Sequence, residues 1–273
     1  PIQYGKVFLA IKPASKPYLT PSDKAFIKSS IIKSRNIVSI TPEIVDPTYI
    51  EMEINSTVYY NKNSTTRSQG QLVDAVSNAI INYRNLNLRK FDGVFRMSKF
   101  AAAIDAVDQS IQSNITTFKL WNQITPKYDI FAEYRLNLGN PIYTESVPEE
   151  AFKSNGFYID SGDIVHYLDD DGIGNVRLYN IITGTGNKII VNPSIGRIDY
   201  EKGIVTITGL KITNIAEGNF YFIIKTESYD VISSRSQIID IPASRVFINT
   251  VQDNTATGMT PNVSNYTFTS SRA

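Results

Sequence analysis

The sequence predicts an α+β fold: an N-terminal α/β sandwich, with helices on a mixed sheet, over residues 1–125, a mainly antiparallel β domain over 126–249, and a flexible polar tail or docking arm over 250–273. Helical stripes with capping signals alternate with strands up to about Pro126. Beyond it, short runs rich in Ile, Val, Tyr and Phe are separated by turn formers. The last stretch is Thr, Ser and Asn with few apolar anchors, a composition that orders only against something else.

Lys6 to Ile11 reads as a strand stopped by Pro13 and Pro17. Thr20-Pro21-Ser22-Asp23 supplies an N-cap, a proline at the first helical position and an acid in the first turn, so a helix through Ile27, Ile31 and Ile32 follows. From Tyr49 to Ile54 the apolar Ile50, Met52 and Ile54 alternate with Glu51 and Glu53, the pattern of a half-buried strand. Ser68 and Gln71 fit a capping box, after which Leu72, Val73, Val76, Ala79, Ile80 and Tyr83 share one helical stripe. Gly93 to Met97 forms a short strand running into Ser98 as the next N-cap. Phe100, Ile104, Val107 and Ile111 then repeat as a helical face, and Ile115 to Trp121 returns as a strand.

In the second half the predicted strands are 130–138, 156–159, 165–168, 176–182, 188–191, 204–208, 220–225 and 245–248. Turn formers punctuate them at Gly139-Asn140-Pro141, Asp171-Gly172, Gly186-Asn187, Lys202-Gly203 and Gly218-Asn219. Strands so spaced predict an antiparallel sandwich or barrel.

Composition narrows the function classes. At 42% hydrophobic and 19% charged residues the chain folds rather than staying disordered. Lys and Arg total 27 against 26 for Asp and Glu, so no global field draws in nucleic acid or an anionic membrane. With no cysteine, disulfides, thiol nucleophiles and the common zinc sites are absent. No apolar run approaches the roughly 18 residues of a spanning helix. The start at Pro1 fits either methionine removal or a place within a longer chain.

Candidate chemistry is sparse. His166 is the one histidine, in a strand-like run with no nucleophile elbow, and reads as structural. Asp169-Asp170-Asp171-Gly172 has the oxygen count of a calcium loop, but Asn180 stands where the twelfth-position Glu would be, so a solvated hairpin turn is expected. Thr183 to Lys188 lacks phosphate-loop spacing and reads as a turn. Adjacent Glu149 and Glu150 do not make a glycosidase pair. Sequons at Asn55, Asn63, Asn114, Asn262 and Asn265 follow from composition. Tyr59, Tyr60 and Trp121 are expected in core or subunit packing rather than stacking a base or sugar. No catalytic, cofactor-binding or metal residue is expected, and no cofactor.

A likeness runs through the first half. It rests on Tyr4-Gly5-Lys6-Val7-Phe8-Leu9-Ala10-Ile11-Lys12-Pro13, on Leu19-Thr20-Pro21, and on Pro47-Thr48-Tyr49-Ile50-Glu51-Met52-Glu53-Ile54. Arg96-Met97-Ser98-Lys99-Phe100, Ala103-Ile104-Asp105-Ala106-Val107 and the strand at Ile115 complete it. In this order the segments resemble the baseplate J-like proteins of contractile phage tails, and the C-terminal part of the wedge ring proteins of T-even-like phages. The resemblance implies a non-enzymatic virion protein of the tail baseplate, assembled in the host bacterial cytoplasm. Such a protein forms homodimers linked into a ring around the hub, binds other wedge proteins, and relays the rearrangement that triggers sheath contraction. Neither nucleic acid nor membrane is an implied partner. The alternative is a receptor- or glycan-binding tail module built on the β-rich half, and an enzyme such as a cell-wall hydrolase ranks last.

Overall fold

A computed structural model of the chain describes residues 6–14, 16–35, 41–144, 151–234 and 236–253. The first unit is β1 (Lys6–Ala10), α1 (Pro21–Phe26) and β2 (Thr41–Val45), with β1 and β2 parallel. α1 starts as its sequence predicts: Thr20 Oγ1 accepts from the Asp23 N–H while the Asp23 carboxylate accepts from the Thr20 N–H. It then loosens through a π turn (Ile27–Ile32) and a 3₁₀ turn (Lys33–Arg35). The unit leans on the rest of the chain through Tyr18, edge-on to Tyr49 at 5.5 Å. The Tyr49 hydroxyl also donates to the Pro17 carbonyl at 2.8 Å.

β3 (Thr48–Tyr60) is longer than predicted and keeps a strict alternation, burying Ile50, Met52, Ile54, Ser56, Val58 and Tyr60. α2 (Gln69–Asn87) packs Leu72, Val76, Ile80 and Tyr83 into the core; Val73 and Ala79 lie at the margins of that stripe. Its capping box forms, Ser68 Oγ accepting from the Gln71 N–H and Gln71 Oε1 from the Ser68 N–H. β4 (Val94–Phe95) leads into α3 (Met97–Asp105), which adds Phe100 and Ile104 to the same core.

Ser98 is not the cap of α3. The helix begins at Met97 behind Arg96, and the Met97 N–H is met at 3.2 Å by Asp230 Oδ1, whose other oxygen pairs with Arg96 at 2.6 Å. Asp230 is held below the usual carboxylate range by the Arg96 hydrogen bond first of all. The predicted helical face also overruns: the helix ends at Asp105, and Ile111 opens β5 (Ile111–Gln123).

The remaining strands are β6 (Phe131–Asn137), β7 (Phe152–Ser154), β8 (Phe157–Tyr158), β9 (His166–Asp170), β10 (Asn175–Ile181) and β11 (Lys188–Asp199). They continue with β12 (Ile204–Lys211), β13 (Asn214–Ile215), β14 (Tyr221–Ile224), β15 (Val231–Ile232), β16 (Gln237–Asp240) and β17 (Val246–Gln252). Among the described residues most of them join one sheet in the order β16-β3-β5-β14-β7-β9-β10-β11-β12-β6, with β17 also parallel to β3 and β8 linking β13 to β9. The α+β class holds.

A single sheet therefore crosses the 125/126 junction, because β14 pairs antiparallel with both β5 and β7. Among the described residues its end strands β16 and β6 do not pair, but the chain just after β6 bridges antiparallel to the end of β14 through Ile142 and Thr226, so the strands of the second half run back on themselves. Phe152, Phe220 and Phe222 fill the core beside that junction.

Turn chemistry locks the ends. Gly203 has φ +64 and a Cβ there would collide with the Asn140 carbonyl, so only glycine closes the β11–β12 side of the sheet in this form. Buried Asn140 uses its amide to bind the Leu138 and Ile232 carbonyls and accepts from the Ile232 N–H. No helix among the described residues is long and apolar enough to cross a membrane. Residues 254–273, most of the predicted tail, lie outside the described residues.

Candidate subunit-contact surfaces

The acidic run from Asp169 to Asp171 is not one solvated turn. Asp169 and Asp170 are the last residues of β9 and are buried, while Asp171 alone enters the turn to β10. Successive strand residues face opposite sides of the sheet, so the carboxylates diverge. Asp169 takes a bidentate pair from Arg177, with both N···O distances 2.9 Å, and a short bond from Lys188. Asp170 accepts from the Phe152 N–H and the Tyr200 hydroxyl, both at 3.2 Å. Burial pushes the Asp170 carboxyl up, and burial together with Asp170 pushes the Tyr200 hydroxyl up.

Asp171 caps the turn itself, accepting from the Ile173 and Asn175 N–H groups and from Asn175 Nδ2 at 2.6 Å. Burial raises its pKa, but these hydrogen bonds outweigh burial and leave it low. Each carboxylate thus has its own partners. Among the described residues no group of three or more His, Cys, Asp or Glu is placed to hold a metal ion.

The other sequence candidates are also engaged locally. His166 is buried with Nδ1 at 3.0 Å from the Ile164 carbonyl, opposite Asn180 and Phe157 in the sheet. Thr183–Asn187 is the hairpin turn between β10 and β11, closed by Ile182 N–H to Asn187 and Gly186 N–H to Ile182. The Trp121 ring has the Arg245 guanidinium over it at 3.5 Å and Tyr221 at 4.3 Å, and Arg245 in turn binds Glu51 at 2.8 Å. That face is filled by protein. Tyr60 is core. Asn55 binds Glu53, and Asn114 binds Ala101 and Asp105. Glu149, Glu150, Asn262 and Asn265 lie outside the described residues.

What the β-rich half does present is an apolar ribbon. The β10–β11 hairpin outruns β9, which pairs with it only as far as Asn180. Its base is stiff: Asp169 clamps Arg177 and Lys188, Tyr167 stacks on Tyr179 at 5.5 Å, and Lys188 sits 4.1 Å over the Tyr179 ring. Along the hairpin, Ile182 is 41% exposed, Ile189 46% and Val191 46%, and neighbouring Ile164 is 56% exposed. Ile181 and Ile190 are exposed on the same hairpin. Among the described residues the outer edge of β11 has no strand partner before Gly196, where β12 begins to pair. A depression of about 530 Å³ lies between residues 163–167 and the ribbon.

Scattered surface aliphatics need no explanation, but a contiguous group on one rigid hairpin marks an interaction surface. The sequence signal was the unalternated runs at 181–182 and 189–191, which read equally as a fully buried strand. Exposure came only with the three-dimensional path of β9 and β12.

The described residues thus present exposed apolar surface on a wide sheet. The family profile for the baseplate structural protein gp6, C-terminal domain III, matches residues 48–123, and that for its C-terminal domain I matches residues 1–45. The baseplate wedge protein gp6 of Enterobacteria phage T4 is 25% identical over 261 residues, covering 91% of this chain and 38% of that protein. The chain is thus similar to gp6 through both halves, and spans less than half the length of this relative.

Proposed function

We propose that the chain is a structural, non-enzymatic part of a contractile-tail baseplate wedge, acting in the virion after assembly in the host cytoplasm. The observation that carries this reading is the likeness to gp6 over nearly the whole chain, with both domain profiles falling on consecutive elements. The exposed ribbon supports it physically, since a wedge subunit needs rigid apolar surface for its neighbours. In this proposal the chain binds other wedge proteins, self-associates as a homodimer within a ring around the hub, and relays the rearrangement that triggers sheath contraction. A wider kinship to baseplate J-like proteins belongs to the same proposal. So does a division at 125/126, in which two parts of one sheet carry different contacts, with residues from 250 as a docking arm.

The ribbon variant Ile182→Asp/Ile189→Asp tests it. Both side chains are exposed, so thermal unfolding should stay close to that of the parent. Co-sedimentation with purified wedge proteins of the same tail is expected to fall at least about tenfold, because burying a carboxylate in an apolar contact is costly. Unchanged co-assembly would remove the ribbon from the account.

A further inference from the structure

We propose that the outer edge of β6 is a self-pairing seam, joining the β6 of a second copy antiparallel about a twofold axis at Tyr134. The inference rests on the self-association reading above and names a surface for it separate from the ribbon.

β6 ends the sheet. Among the described residues it pairs only with β12, from Phe131 opposite Lys211 to Asn137 opposite Ile204, so no strand lies along its other edge, where only the last carbonyl, of Asn137, is met by Gln237 Nε2. Such an edge is a template for another strand unless it is blunted by proline, a bulge or charges that the incoming strand cannot match. β6, with the sequence Phe131-Ala132-Glu133-Tyr134-Arg135-Leu136-Asn137, has neither proline nor lysine. The register shift in its pairing lies on β12, between Ile207 and Leu210.

The occupant follows from charge. Glu133 and Arg135 are exposed on the same face of β6, on either side of Tyr134. A closed pair of identical chains requires a twofold axis, and a twofold axis across a strand edge requires antiparallel pairing. Centred on Tyr134, that pairing brings Glu133, Tyr134 and Arg135 of the two copies together. Glu133 then lies opposite Arg135 of the second copy, twice by symmetry, and Ala132 opposite Leu136. Opposite charges directly across an antiparallel pair stabilise it, and like charges destabilise it. Phe131, 77% exposed at the strand start, would come beside Asn137 of the second copy and lose water. An unrelated acidic or basic strand would leave one of the two charges unmatched. The sequence is complementary to itself.

The test is sedimentation velocity on the full chain over a concentration series, with circular dichroism melts to verify that each variant folds. The parent is expected to dimerise. Glu133→Arg and Arg135→Glu should each weaken the dimer by about tenfold or more, since each turns both symmetric pairs into like-charge contacts. The double swap Glu133→Arg/Arg135→Glu should restore it. A parent that stays monomeric at high concentration overturns the seam and leaves wedge co-assembly to be judged on the ribbon variant. A dimer indifferent to all three variants overturns the seam while self-association stands elsewhere.

Discussion

Phe222→Ala is expected to cost about 3–5 kcal/mol, the range for removing a fully buried aromatic ring. Phe222 is inaccessible to water, stacked on Phe152 at 5.1 Å and edge-on to Phe220 at 5.0 Å. It sits on β14, the strand hydrogen-bonded on one side to β5 and on the other to β7. The cavity would therefore open where the helix-covered part of the sheet meets the β-rich part. In a chain of this size the loss should lower the unfolding midpoint by roughly 10 °C. Calorimetry with circular dichroism decides the form of the change: one transition moving as a whole is expected. Two transitions, only one of them shifted, would show that the halves fold apart despite the shared strand.

Asp169→Ala is expected to lose about 3–5 kcal/mol, the cost of removing one member of a buried ion pair. The carboxylate is fully buried and takes bonds from Arg177 and Lys188, whose side chains are largely covered. Without it, two cations face the interior of β9–β11 without their shared counter-charge. Asp169→Asn keeps the shape and part of the hydrogen bonding, so its melting point should fall between alanine and parent. A triple change, Asp169→Leu with Arg177→Met and Lys188→Met, should recover much of the alanine loss, because an apolar cluster replaces the ion cluster. The same melts read all three. If Asp169→Ala melts like the parent, the clamp does not hold the base of the ribbon.

The sequence made the local rules legible. Thr20/Asp23 and Ser68/Gln71 cap the helices they precede, and the Ile50–Ile54 alternation lies on the buried face of β3. Gly172 and Gly203 adopt positive φ in the turns their neighbours predicted. What stayed hidden was set by distant parts of the chain. Asp230 caps α3 from within the β-rich half, 133 residues further along the chain, so no nearby residue could announce it and Ser98 was the natural local choice. β16 and β17 pair parallel to β3, and β7 is only three residues long, so short segments gain strand status from their partners. The Asp169–Asp171 run looked like a solvated turn because composition says nothing of strand facing. Two of its carboxylates are buried on opposite sides of β9.

The surfaces were harder still, since an apolar run reads alike whether it fills a core or waits for a neighbour. Only the short reach of β9 and β12 distinguishes the cases for β11.

Hydrogen exchange followed by mass spectrometry, on the chain alone and within assembled wedges, tests the claim most directly. Among the described residues no strand pairs with the outer edge of 188–195, so their outward amides should exchange quickly in the free chain and slow markedly on assembly, while the β3–β5 ladder stays protected in both. Equal, fast exchange of the ribbon in both samples would mean that this exposed apolar hairpin never meets a neighbour, and the account of its role would fail.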